Sequence, residues 1–238
     1  MMNEVLERRR EEAEKTKLGG RLPLEYNHAL AWTQTASSGK AEAGDIQLSL
    51  AMSARFTTSE LLRQVLLDLA AHPDLVEPLR EEVSQQISTH GVSVAATSSM
   101  VLIDSVLKES QRQSAPLVSL ERVALEEVTF PSGERIPTAS HIMVDSTNLW
   151  DPAVYAEPDR FDGYRFLRKR EAGDKASQFV QSGPEFSAFG GGRYLCPGRL
   201  FASNELKLAL AHILLKYDIR LAEGYEVKSL SVRCVQSC

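Results

Sequence analysis

Apolar residues fall at helical spacings over most of the chain and alternate with polar ones over one short part. Residues 3–17 carry acids and bases at helical spacings with few apolar positions, which predicts a polar, solvent-facing helix. The following segment to Gly44 reads as turn residues around a short apolar patch, HALAWTQTA. From Asp45 to about His72, Leu48, Leu50, Leu62, Val65, Leu66 and Leu69 predict a long, mostly buried helix, stopped by Pro73. A further helix is expected over 73–88, with Asp74 near its start. A Ser/Ala/Thr-rich loop to Ser99 follows, and then an amphipathic helix over 100–114. The pattern then shifts to alternation around the turn PSGE, which predicts short strands and a hairpin. LWDPAVYAEPDRFDGYRF reads as proline-punctuated loop with one helical turn. A glycine-rich turn leads into a last helix over 196–221. The expected fold class is mainly α with a minor β part.

At 238 residues the chain suffices for one large domain or two small ones. A net charge of −5 gives no support to nucleic-acid binding, which calls for a basic balance. Three cysteines, Cys196, Cys234 and Cys238, do not make a disulfide framework, so a reducing compartment is expected. No run reaches the length of a membrane-spanning helix, and the charged opening residues do not fit a signal peptide.

The stretch FGGGRYLCPGRLFA, Phe189–Ala202, sets Cys196 between three glycines and a proline. A phosphate loop needs a lysine and a hydroxyl that are missing here, and the glycine spacing does not fit a dinucleotide fingerprint. Zinc needs further ligands, and no His or Cys stands near on the N-terminal side. Pro197 suits a first helical position, which puts Cys196 at the N-cap, where free amides and the helix dipole favour a thiolate. The glycines let the backbone turn tightly and approach a flat ligand. On the residues alone, an ordinary buried cysteine beside a turn stays open as an alternative.

Phe189, Gly192, Cys196 and Gly198 match the spacing of the haem-binding loop of cytochromes P450, and the stretch resembles that loop. The resemblance implies that Cys196 is the axial thiolate ligand of haem iron, donating electron density that favours O–O cleavage. The basic residue often found two before the cysteine is Tyr194 here, with Arg193 one place earlier. A second resemblance lies in ESQR, where Glu109 and Arg112 stand three apart on one helix face. An isolated pair of this kind is usually a surface ion pair. In P450s it is joined by an arginine from a P-x-R-F segment, and PDRF supplies Arg160 as the implied third member of a structural cluster. A third lies in SARFTTS, similar to the oxygen-activating part of the long helix. There Thr57 is the implied catalytic hydroxyl, relaying protons during oxygen activation, with Phe56 where an acid often stands. Taken without the resemblance, Thr57 is a hydroxyl bonded back to its own helix. Arg122, and less directly His141, stand where the family contacts haem propionates.

The resemblance therefore implies the C-terminal portion of the cytochrome P450 fold, with the N-terminal half absent. Residues 1–44 form a polar helix and linker, 45–221 the haem-binding region, and 222–238 an atypical tail in which Cys234 and Cys238 have no assigned role. Cofactor contacts are expected from Cys196, Phe189, Gly192, Arg193 and Arg122, the cofactor being haem b (iron protoporphyrin IX). The implied reaction inserts one atom of O2 into a small lipophilic substrate, in the manner of fungal secondary-metabolism enzymes. Electrons are expected from NADPH through NADPH-cytochrome P450 reductase, docking on a cationic face of Arg193, Arg199 and Lys207. A full-length parent is expected at the cytosolic face of the endoplasmic reticulum membrane. This chain alone is expected to carry no membrane anchor, and its expected location is cytoplasmic or unassigned. The alternative is a truncated, inactive fragment or gene-model product unable to hold haem, because half a pocket exposes apolar helix faces.

Overall fold

The computed structural model describes residues 2–18, 29–36, 42–115 and 118–225. Eight α-helices and four strands occur among them: α1 (Met2–Leu18), α2 (Ala29–Ala36), α3 (Ala43–Ala71), α4 (Val76–His90), α5 (Val94–Ser99), α6 (Val101–Gln113), β1 (Val118–Val123), β2 (Val128–Thr129), β3 (Arg135–Ile136), β4 (His141–Asp145), α7 (Arg165–Glu171) and α8 (Arg199–Lys216). The mainly helical class with a minor β part is the observed one. The chain divides into two compact units, residues 1–57 and 58–238, with the boundary inside α3. The motif-based segments 1–44, 45–221 and 222–238 remain a division by resemblance. Cys234 and Cys238 lie outside the described residues.

Unit 1 holds α1, α2 and the first half of α3. The patch HALAWTQTA, expected as a turn-rich segment, forms α2 over Ala29–Ala36, because its alanines carry strong helix propensity. The first half of α3 corrects the expectation of a mostly buried helix, since Leu48, Met52 and Phe56 are exposed by 63%, 64% and 74%. Apolar character specifies a face that can be covered, and nothing described within unit 1 covers this one.

Unit 2 has its core where α3, α4, α6 and α8 face one another through Val65, Leu69, Leu79, Ile103, Leu107 and Leu210, each fully buried. Each such side chain contributes about 1.5–3 kcal/mol on leaving water. Side chains from elsewhere in the chain satisfy the helix ends. Both carboxylate oxygens of Glu82 on α4 accept from the free amides at the start of α6, Leu102 N at 2.7 Å and Ile103 N at 3.0 Å. Arg80 donates to Leu214 O and Tyr217 O at the end of α8, at 2.7 and 2.9 Å, and to the Asp218 carboxylate at 2.7 Å. The Ser/Ala/Thr stretch, expected as a loop, contains α5, capped by Ser93 Oγ accepting from Ala96 N.

β2 and β3 form the hairpin expected at PSGE, with Gly133 in the left-handed region at its turn. β1 pairs antiparallel with β4, placing Arg122 opposite Ile142 and Val123 opposite His141, with a register irregularity between Ser119 and Arg122. A smaller cluster of Leu149, Tyr155, Phe166 and Phe186 packs at the start of α7, the helix that follows the proline-punctuated loop. Gly163 in that loop is held close against α6. Its carbonyl accepts from Ser105 Oγ at 2.6 Å, and an added Cβ would stand 2.7 Å from Leu75 Cδ1.

Candidate haem-thiolate site

The Cys196 loop is closed by its own backbone. Cys196 N donates to Phe189 O at 2.8 Å, so the chain from 189 to 196 returns on itself. Phe189 anchors one end, edge-on to the buried Phe179 ring with centroids 5.2 Å apart. Ser182 Oγ ties the turn down by donating to Gly190 O. Gly190 and Gly192 have φ of +78° and +56°, the left-handed region that glycine adopts without strain. Around the Cβ direction of Gly191 and Gly192 there is open space, so the loop presents bare backbone on that side.

Cys196 is a half-buried free thiol. It is not the helix N-cap, which corrects the expectation: the cap is Gly198, and α8 begins at Arg199 because Pro197 and Gly198 form a turn first. The Cys196 carbonyl accepts from Arg199 Nη1 at 2.9 Å. Gly198 lies against the sulfur, its Cβ direction meeting Sγ at 3.9 Å. One thiol is one ligand, which fits a metal that brings its other donors with it, as haem iron does. The open glycine backbone beside it fits the approach of a flat group, so the residues present are compatible with haem.

Arg122 on β1 comes to this loop, its guanidinium 4.3 Å from the centre of the Tyr194 ring. Arg193 lies 4.7 Å from the same ring and donates to the Tyr194 hydroxyl. That hydrogen bond, with the charge of Arg193, holds the phenol below its ordinary pKa. His141 points to another partner, its Nδ1 2.8 Å from a Glu121 carboxylate oxygen. The cationic face expected from Arg193, Arg199 and Lys207 is corrected at one member. Lys207 is 4% exposed, with Nζ 2.6 Å from Asp104 Oδ1 and donating to Thr97 O at 3.0 Å.

Glu109 and Arg112 form a fully buried ion pair on α6. Arg112 Nε and Nη2 each donate to Glu109 at 2.9 Å, while Nη1 and Nη2 reach Leu149 O and Pro158 O. The third member is Arg165, which corrects the expectation of Arg160. Arg165 Nε donates to both Glu109 oxygens at 3.1 Å, with its side chain 8% exposed. Arg160 points to solvent at 73% exposure beside Glu157 and contributes only its carbonyl, accepting from Arg165 Nη2 at 3.0 Å. The stretch PDRFDGYRF contains two Arg-Phe pairs, and the second sits at the start of α7, aimed at α6.

Neighbouring Lys108 is also buried. Its Nζ donates to Ala176 O, Gln178 O and Gln181 O at 2.7–3.1 Å and lies 4.4 Å from the centre of the Phe186 ring. Burial lowers its pKa to about 8, opposed by Asp104. It ties α6 to the segment leading into the Cys196 loop. Its place beside Glu109 was the only sequence signal for this role.

Thr57 is exposed, and its Oγ1 donates to Ser53 O at 2.9 Å, the bond of a helical threonine to the preceding turn. It belongs to unit 1 and Cys196 to unit 2. Among the described residues, no helix is long and apolar enough to cross a membrane.

A family model described as "Cytochrome P450" matches residues 3–233. The chain is similar to the cytochrome P450 monooxygenase hepE of Aspergillus oryzae, 41% identical over 230 residues, covering 94% of this chain and 42% of hepE. It is 43% identical over 199 residues to the cytochrome P450 monooxygenase esdpI of Penicillium shearii, covering 82% and 39%. To cytochrome P450 monooxygenase 1 of Gibberella fujikuroi it is 40% identical over 231 residues, covering 94% and 52%. The chain thus spans about half the length, or less, of the curated relatives it matches. With the family model matching nearly every residue, the chain belongs to the cytochrome P450 family.

Proposed function

We propose that this chain is the haem-binding part of a haem-thiolate monooxygenase of fungal secondary metabolism, acting on a small lipophilic substrate. The observation that carries this reading is the Cys196 loop: a free, half-buried thiol beside bare glycine backbone, with Arg122 and Arg193 at its side. When bound, haem b supplies O2 activation, delivering one oxygen atom to the substrate and the other to water with two electrons and two protons. Cys196 is the residue to ligate the iron. Phe189 and Gly192 shape the loop, and Arg122 and Arg193 suit the propionate carboxylates. Thr57 is the proposed proton-relaying hydroxyl, which requires Oγ1 to leave Ser53 O and turn toward a new partner. NADPH supplies the electrons through a reductase at the cytosolic face of the endoplasmic reticulum.

A second reading, a chain that does not retain haem, is favoured by the exposed apolar residues Leu48, Met52 and Phe56. The reduced carbon monoxide difference spectrum of the haem-reconstituted chain separates the two. A thiolate-type Soret band that disappears in Cys196→Ser supports the monooxygenase reading, and a chain taking up no haem supports the second.

A further inference from the structure

Tyr194 stands two residues before the thiol, where P450s often have a base, and both arginines of the loop converge on its ring. Arg122 arrives from β1 at 4.3 Å and Arg193 from the loop itself at 4.7 Å. A guanidinium over an exposed ring is worth about 0.5–1 kcal/mol. Bringing two like charges to one ring opposes that gain. Among the described residues, neither guanidinium reaches a carboxylate. Arg122 Nη1 donates to the Glu121 carbonyl, while the Glu121 carboxylate is taken by His141. Arg193 donates to the Tyr194 hydroxyl. Two forked donors without an acid of their own suit an incoming carboxylate pair.

We propose that Tyr194 is a positioning residue whose ring holds Arg122 and Arg193 together as the carboxylate-binding edge of the Cys196 loop. The proposal rests on the haem reading above, the carboxylates being the two propionates. An aromatic face thereby does by stacking what a cation at this position does by charge. Arg122 lies over the ring, so phenylalanine should serve and an aliphatic side chain should not.

The test compares binding of haem and of haem dimethyl ester, which lacks free carboxylates, to the full chain. Wild type is expected to bind haem more tightly than the ester. In Tyr194→Leu and Tyr194→Met that preference should fall by about fivefold, the worth of the stacking contacts, with the thiolate Soret position unchanged. Tyr194→Phe should keep it. Two aliphatic variants are used so that one showing wild-type helical circular dichroism carries the result. An undiminished preference for haem in the folded aliphatic variant overturns the proposal. If wild type gives no thiolate-type spectrum and matches Cys196→Ser, the haem-thiolate reading itself fails, and the positioning role with it.

Discussion

Arg112 and Arg165 share a residue type with Arg122 and Arg193 and meet the opposite environment. The first two are buried on one carboxylate, Glu109, and their remaining donors go to backbone carbonyls of the loop before α7. The second two are exposed, share a tyrosine ring, and reach no acid among the described residues. A charge cluster whose donors are already matched has nothing left for a ligand and serves the fold. One with its donors facing solvent beside a free thiol is equipped to bind. The contrast separates structure from chemistry better than charge alone does.

Removing the shared acid should break the buried cluster most severely. Glu109→Ala leaves two guanidiniums unpaired in the core, an expected loss of about 3–5 kcal/mol in urea unfolding, a large share of a domain's stability. Arg165→Ala should cost about 3 kcal/mol, whereas Arg160→Ala should stay within about 0.5 kcal/mol. Equal losses at 160 and 165 would return Arg160 to the cluster. Lys108 gives an effect that depends on pH. Its folded pKa of about 8 lies below the ordinary 10.5, so between these values the unfolded chain holds a proton that the folded chain has released. Stability contributed by this group should therefore rise with pH across that window, by up to about 1.4 kcal/mol per unit, and the rise should be absent in Lys108→Met. Denaturation midpoints at pH 8 and 10 for both proteins measure it.

Much of this was legible along the chain, but unevenly. Glu109 and Arg112 stand three apart on a helix, a local relation that spacing alone reveals. Arg165 could not be chosen over Arg160 in the same way, because both precede phenylalanine and only the turn at Gly163 decides which one faces α6. The charge of Lys207 suggests a docking face, yet the residue falls on the same stripe of α8 as Ser203, Leu210 and Leu214, all buried. Its helical position carried more information than its charge. The first half of α3 teaches the converse: Leu48, Met52 and Phe56 announce a face seeking cover, and whether a side chain is covered depends on partners that a local pattern does not contain. Cys196 and its glycines were readable because a left-handed turn restricts residue type strongly. The meeting of Arg122 with Tyr194 was not readable as a contact, since it crosses from a strand to a distant loop.

Arg80 carries a consequence for how the molecule is made. Its guanidinium joins α4 to Leu214 and Asp218, 134 and 138 residues further along. During ribosomal synthesis α4 is therefore complete long before its clamp exists, and the part of its apolar face that packs against α8 stays open until α8 has emerged. Such late closure slows folding and lengthens the interval in which a nascent chain needs shielding by chaperones.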